Sequence, residues 1–138
     1  MVTKTYMKRN DPRGLSQKSI KASKPRPKVN ALKPSMREKK RYIAFEIVSE
    51  KPLGKDADRQ LIIRINELLG VFHSSKAGIL RVKYNPGLQR GLLRVDRAFV
   101  DFIRTCFVML KQLEGIRVMI RTLAVSGMVH RAAAMVGE

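Results

Sequence analysis

Between Tyr42 and Ala124 the hydrophobic pattern runs through six segments of alternating period, and this succession restricts the fold more than any other feature of the chain. Residues 42–49 alternate, with Ile43, Phe45 and Ile47 on one side and Tyr42, Ala44 and Glu46 on the other. That is the pattern of a half-buried strand. Lys51-Pro52-Leu53-Gly54 breaks it, and Asp56 and Asp58 open a helix whose apolar stripe is Leu61, Ile62, Ile65, Leu68, Leu69 and Phe72. A loop over residues 74–78 leads to a strand at 79–84. Asn85-Pro86-Gly87 then turns the chain into a return strand at 91–96. A second helix from about Asp96 carries Phe99, Phe102, Ile103, Cys106, Leu110 and Leu113, with Gly115 as its C′ residue. Residues 116–124 form a last strand, and a short helix spans 128–135.

The order strand, helix, strand, strand, helix, strand predicts an α+β fold, the ferredoxin-like or split βαβ two-layer sandwich. Four antiparallel strands carry two helices on one face, with the short C-terminal helix in addition. Charge marks off what precedes this domain. Residues 1–41 hold 14 Lys and Arg against Asp11 and Glu38, and four of the six prolines, while the whole chain carries a net charge of +18. Such a segment has too little apolar surface to offset about 1–2 kcal/mol of ordering entropy per residue. Residues 1–37 are therefore expected to be a disordered basic tail and 38–138 the folded, RNA-binding domain. A solubilising extension with no defined partner is the bland reading of the same tail.

The net charge favours a polyanionic partner, nucleic acid ahead of anionic membrane. No run approaches the ~18 apolar residues of a membrane-spanning helix, and the N-terminus lacks a secretory pattern. A cytoplasmic protein is expected. Cys106, the single cysteine, reads as a core residue. Taking the alternation at face value, Tyr42, Glu46, Arg81, Lys83, Arg94, Arg117, Met119 and Arg121 point away from the helices, with Leu92 and Leu123 among them. Five cations against one acid suit phosphate. The strand at 89–95 has aliphatic residues where the common RNA recognition motif stacks bases, and only Tyr42 offers a ring, so shape and phosphate contact fit better than base reading.

No glycine-rich phosphate loop, paired metal-ligand histidines or nucleophile elbow is present. Asp56 and Asp58 are expected from the helix dipole, and no metal or cofactor is expected on the protein. A metal-independent ribonuclease using His73 and His130 is the minor enzymatic alternative.

The segments 37–50, 89–97 and 121–127 (REKKRYIAFEIVSE, QRGLLRVDR and RTLAVSG) together resemble archaeal ribonuclease P protein component 2 in order and spacing. The resemblance covers about residues 36–135. It implies a ferredoxin-like fold and the role of a non-catalytic subunit, supporting a catalytic RNA that removes the 5′ leader of precursor tRNA with Mg²⁺ bound by the RNA. It also implies pairing with protein component 3, two pairs forming a heterotetramer. This chain departs from the family in its longer tail and in Met128-Val129-His130-Arg131 after Ser126-Gly127. The RNA-facing candidates are Arg37, Lys39, Lys40, Arg41, Tyr42, Arg94, Arg97, Arg117, Arg121 and Arg131. Leu92, Met119, Leu123 and Met128 are candidates for a protein interface, unless the chain's own last helix covers them. A structural RNA-binding protein of the ribosome is the alternative that size, charge and fold serve equally well.

Overall fold

The computed structural model describes residues 28–137. Most of the expected tail, residues 1–27, lies outside them. Within the remainder, Pro34–Met36 forms a single 3₁₀ turn in which the Met36 N–H donates to the Lys33 carbonyl at 2.9 Å.

The fold belongs to Arg37–Glu138. Its elements are β1 (Lys40–Ser49), α1 (Ala57–Ala77), β2 (Leu80–Asn85), β3 (Arg90–Asp96), α2 (Val100–Met109), β4 (Gln112–Leu113), β5 (Ile116–Ser126) and α3 (Val129–Ala133). The five strands form one sheet in the order β2-β3-β1-β5-β4, every neighbour antiparallel. Ile43, Phe45 and Ile47 of β1 and Leu93 and Val95 of β3 face a core completed by Leu61 and Ile65 of α1 and Ile103, Cys106 and Phe107 of α2. The Phe45 and Phe107 rings meet with centroids 5.6 Å apart. Cys106 is buried, as expected, and burial raises its thiol pKa.

The sheet has five strands where four were expected. Gly115 is not a helix C′ residue. Glu114 and Gly115 both have positive φ (52° and 75°), the signature of a two-residue hairpin loop, and they fold Gln112–Leu113 back onto Ile116 and Arg117. Helix α2 therefore stops at Leu110, whose ψ is 117°. Its buried stripe includes Phe107, and Phe102, expected inside, is half exposed.

Helix α1 runs on through the expected loop at 74–78, because nothing there breaks it before Gly78. The Gly78 N–H closes the last turn on the Ser74 carbonyl at 3.3 Å. Inside α1, Gly70 adopts φ 75°, ψ 173°, and kinks the helix. Beyond the kink Val71 and Phe72 are 82% and 81% exposed, so Phe72 leaves the stripe to which period 3.6 assigns it.

In β2 the pairing with β3 slips between Arg81 and Lys83. This bulge inverts the expected alternation before it, at Leu80 and Arg81, and leaves Lys83 on the outer face opposite Leu92 as expected. Arg81 stands opposite Leu93 on the helix side, where it forms an ion pair with the buried Asp58 of α1, and Leu80 and Val82 are exposed. Arg81 is thus not on the outer face, and Asp58 does more than complement a helix dipole.

The outer face is not open either. Ala44 of β1 and Leu92 of β3 are fully buried there against Ala132 and Val136, with Tyr42, Leu123 and Ala124 packed around them. Helix α3 and the residues after it lie across the middle of the sheet, so the sheet is clad on both faces.

Candidate nucleic-acid interface

Strand register places the cations of the outer face in cross-strand rows. Asn85, Arg90, Glu46 and Arg121 form one row, Lys83, Leu92, Ala44 and Ala124 the next, and Leu80, Arg94, Tyr42 and Ser126 a third. Lys40 and Asp96 close the end of the sheet.

In the first row both arginines are engaged by one carboxylate. Glu46 accepts from the Arg90 Nε at 3.1 Å and from Arg121. Burial works to raise the Glu46 carboxyl, but the hydrogen bonds from Arg121 and Arg90 outweigh it and hold the pKa below the usual carboxylate range. Arg90 also reaches the Met135 carbonyl at 3.4 Å, and the Lys83 ammonium donates to the Gly137 carbonyl at 2.7 Å. Two cations of the sheet thus hold down the segment that follows α3.

The candidates of the β1 start come together. Lys40 opposes Asp96, Arg41 opposes Val95 and Tyr42 opposes Arg94, and the Arg97 N–H donates to the Lys39 carbonyl at 2.9 Å. Lys39 and Arg97 are exposed beside this end of the sheet. Lys40 is partly engaged: its ammonium lies 2.7 Å from Glu38 and 3.6 Å from Asp96. The Glu38 hydrogen bond is the main cause of its raised pKa. Arg41 donates to the Lys40 carbonyl at 3.0 Å and lies over Gly127, where a Cβ would come within 3.3 Å of its Nη1. Arg131 is exposed on α3. One cation that sequence reasoning did not single out joins them. Lys76 occupies the last turn of α1, just before Gly78, and an ideal Cβ on Gly78 would sit 3.8 Å from the Lys40 Nζ. The signal was the absence of a helix breaker before Gly78.

Other candidates lie elsewhere. Arg117 pairs with Gln112 in the β4–β5 hairpin, and Arg121 is drawn to Glu46. Tyr42 is partly buried beside the α3 cluster, which limits its ring as a stacking platform. Of the four interface candidates, Leu92 is fully buried and Leu123 partly buried by the chain's own C-terminal segment, so neither presents an interface. Met119 and Met128 are exposed. His73 packs its ring against Phe99 and Phe102, at 6.1 and 5.8 Å, on the helix layer, while His130 belongs to α3 on the opposite side of the sheet. The two histidines do not meet, which removes the acid–base pair the ribonuclease alternative needs. Among the described residues no group of three or more His, Cys, Asp or Glu side chains gathers, and no helix is long and apolar enough to cross a membrane.

A family model described as the Rpp14/Pop5 family matches residues 41–136. The chain belongs to the Rpp14/Pop5 family. Ribonuclease P protein component 2 of Pyrococcus horikoshii is 36% identical over 105 residues, covering 75% of this chain and 88% of the relative. The protein of the same name from Pyrococcus abyssi is 37% identical over 75% of this chain and 89% of its own length. That of Methanosarcina acetivorans is 33% identical over 75% and 78%. Membership in the Rpp14/Pop5 family separates this chain from the ribosomal alternative, which fold and charge alone did not.

Proposed function

We propose that this chain is a protein subunit of ribonuclease P that binds and supports the catalytic RNA and leaves the cleavage of precursor tRNA to that RNA. The observation that carries the reading is the family match over the whole folded unit, with relatives named ribonuclease P protein component 2. The connectivity supports the finer structural reading as well. Strands β2-β3-β1-β5 with α1 and α2 as their crossovers are the ferredoxin-like arrangement, to which β4 adds a hairpin.

The chemistry is electrostatic. A folded RNA crowds phosphates around its metal sites, and cations placed alongside lower that repulsion. Lys39, Lys76, Arg94, Arg97 and Arg131, at the end of the sheet where β1 begins and α3 starts, supply them. Mg²⁺ is held by the RNA, and the RNA's fold accepts it at a lower concentration when these side chains are in place. Protein component 3 is the expected protein partner, in a two-plus-two assembly, with precursor tRNA as substrate of the whole.

The test is reconstitution. Precursor tRNA cleavage by ribonuclease P RNA is measured across a Mg²⁺ titration, with and without the chain and component 3. The chain lowers the Mg²⁺ requirement and, alone, cuts nothing. Removing residues 1–35 weakens RNA binding and leaves cooperative unfolding unchanged. Cleavage by the polypeptide alone, or an unchanged Mg²⁺ requirement, refutes the proposal.

A further inference from the structure

Six arginines of the folded unit have a carboxylate partner, the two most covered of them being Arg81 and Arg90. Arg59, Arg64, Arg81, Arg90, Arg104 and Arg121 each face a carboxylate. Arg97, Arg117 and Arg131 have no ion pair among the described residues, but they are exposed and water solvates them. Arg94 is different. It is half-buried, its Nε is excluded from solvent, and no group among the described residues accepts from it.

A buried guanidinium N–H without an acceptor opposes folding, and the neighbourhood offers no relief. Across the strands Arg94 stands between Leu80 and Tyr42. The closest carboxylate in register, Asp96, already accepts from the Ala98 N–H at 3.0 Å and faces the Lys40 ammonium at 3.6 Å. Arg90, four residues earlier on the same side of β3, is satisfied by Glu46 of β1, so the sheet does provide an acid where a structural role calls for one. The Arg94 fork has the planar geometry that matches two oxygens of a phosphate. The partly buried Tyr42 ring beside it forms an apolar wall that strengthens any such contact.

We infer that Arg94, flanked by Tyr42, is a seat for one phosphodiester group of RNA, kept without a carboxylate so that the nucleic acid supplies the acceptor. This rests on the RNA-binding reading above and goes beyond it in naming one half-buried residue whose terminal nitrogens take the phosphate.

The experiment uses the full chain and a ribonuclease P RNA transcript, with affinity measured over a KCl series for wild type, Arg94→Met, Arg94→Lys and, as control, Arg64→Met, whose partner is Glu67 on the helix layer. The expected result for Arg94→Met is weaker binding and a log–log salt slope shallower by about 0.7–0.9, one phosphate's worth. Its melting temperature is equal to or above that of wild type, since an unpaired cation has been replaced by an apolar chain of similar length. Arg94→Lys keeps the slope and loses affinity, because the charge stays and the fork is gone. Arg64→Met leaves the slope unchanged. A wild-type slope in Arg94→Met, with wild-type binding still salt-dependent, overturns the inference and leaves the RNA-binding reading standing. A lowered melting temperature with an unchanged slope also overturns it, by showing a structural role. Wild-type binding that is absent or indifferent to salt overturns both.

Discussion

Leu92 decides between an open and a covered outer sheet face. Replacing Leu92 by Ala removes three carbon atoms from a side chain that is 0% exposed. At about 0.8 kcal/mol per buried carbon the transfer contribution is about 2.4 kcal/mol. The cavity left against Ala44, Ala132 and Val136 adds to it, so the expected loss is about 3–4 kcal/mol, inside the range of buried Leu→Ala changes. If strand alternation alone were the guide, Leu92 would sit on an open face and its truncation would cost at most about 0.5 kcal/mol. Urea denaturation measures the difference directly, and for a domain of about this size each kcal/mol moves the melting temperature by about 4–8 °C. A companion variant, Val136→Ala, tests the identity of the cover. The two residues share one cluster, so the double variant should show a coupling energy of about 0.5–3 kcal/mol. A cost for Leu92→Ala below about 1 kcal/mol, or strict additivity with Val136→Ala, would refute the packing of the C-terminal segment onto β1 and β3.

Two further outcomes test other parts of the fold. The folded-state pKa of Glu46 is depressed, so its contribution to stability is present above its unfolded value near 4.5 and fades as pH falls through the lower folded value. In urea titrations between pH 7 and pH 3, Glu46→Gln should be less stable than wild type at neutrality, with the gap closing below about pH 4. Parallel curves at all pH values would show that Arg90 and Arg121 do not hold this carboxylate. Gly91 opposes Phe45 in β1 and Tyr84 in β2, and a Cβ there would overlap the Phe45 ring. Gly91→Ala should therefore cost about 1–3 kcal/mol by overpacking. Chemical denaturation showing no loss would mean that the β3–β1 approach is looser than described.

Particular residues show where sequence carries the fold and where it stops. The alternation of Ile43, Phe45 and Ile47 placed β1 correctly because both ends of that run are held by the same core. Leu93 and Val95 did the same for β3. Alternation states which side a residue is on, and nothing about what covers that side, so it leaves open whether a partner or the chain's own last helix covers Leu92 and Leu123; in the fold Ala132 and Val136 do. Arg81 was misplaced by one bulged residue, a shift that leaves no trace in composition. Gly115 and Gly78 are both glycines after a helical run, yet one turns a hairpin and the other ends α1. The difference lies in Glu114, which shares the positive φ of its neighbour. Among the charged candidates, those at the start of β1 were brought together because they are local in sequence. Arg121 was lost to Glu46, a pairing 75 positions apart in the chain.

The arrangement of the two apolar clusters has a bearing on truncation. Every strand and helix of the larger cluster lies before Gly127, while the side chains that shield Ala44 and Leu92 come later, at Ala132 and Val136. A polypeptide cut after Ser126 would thus keep all the residues of its main interior and bare a greasy strip on its back, with Glu46 and its two arginines at one border. The last stretch of chain acts as a lining for that strip, and losing it would turn a shielded surface into a sticky one.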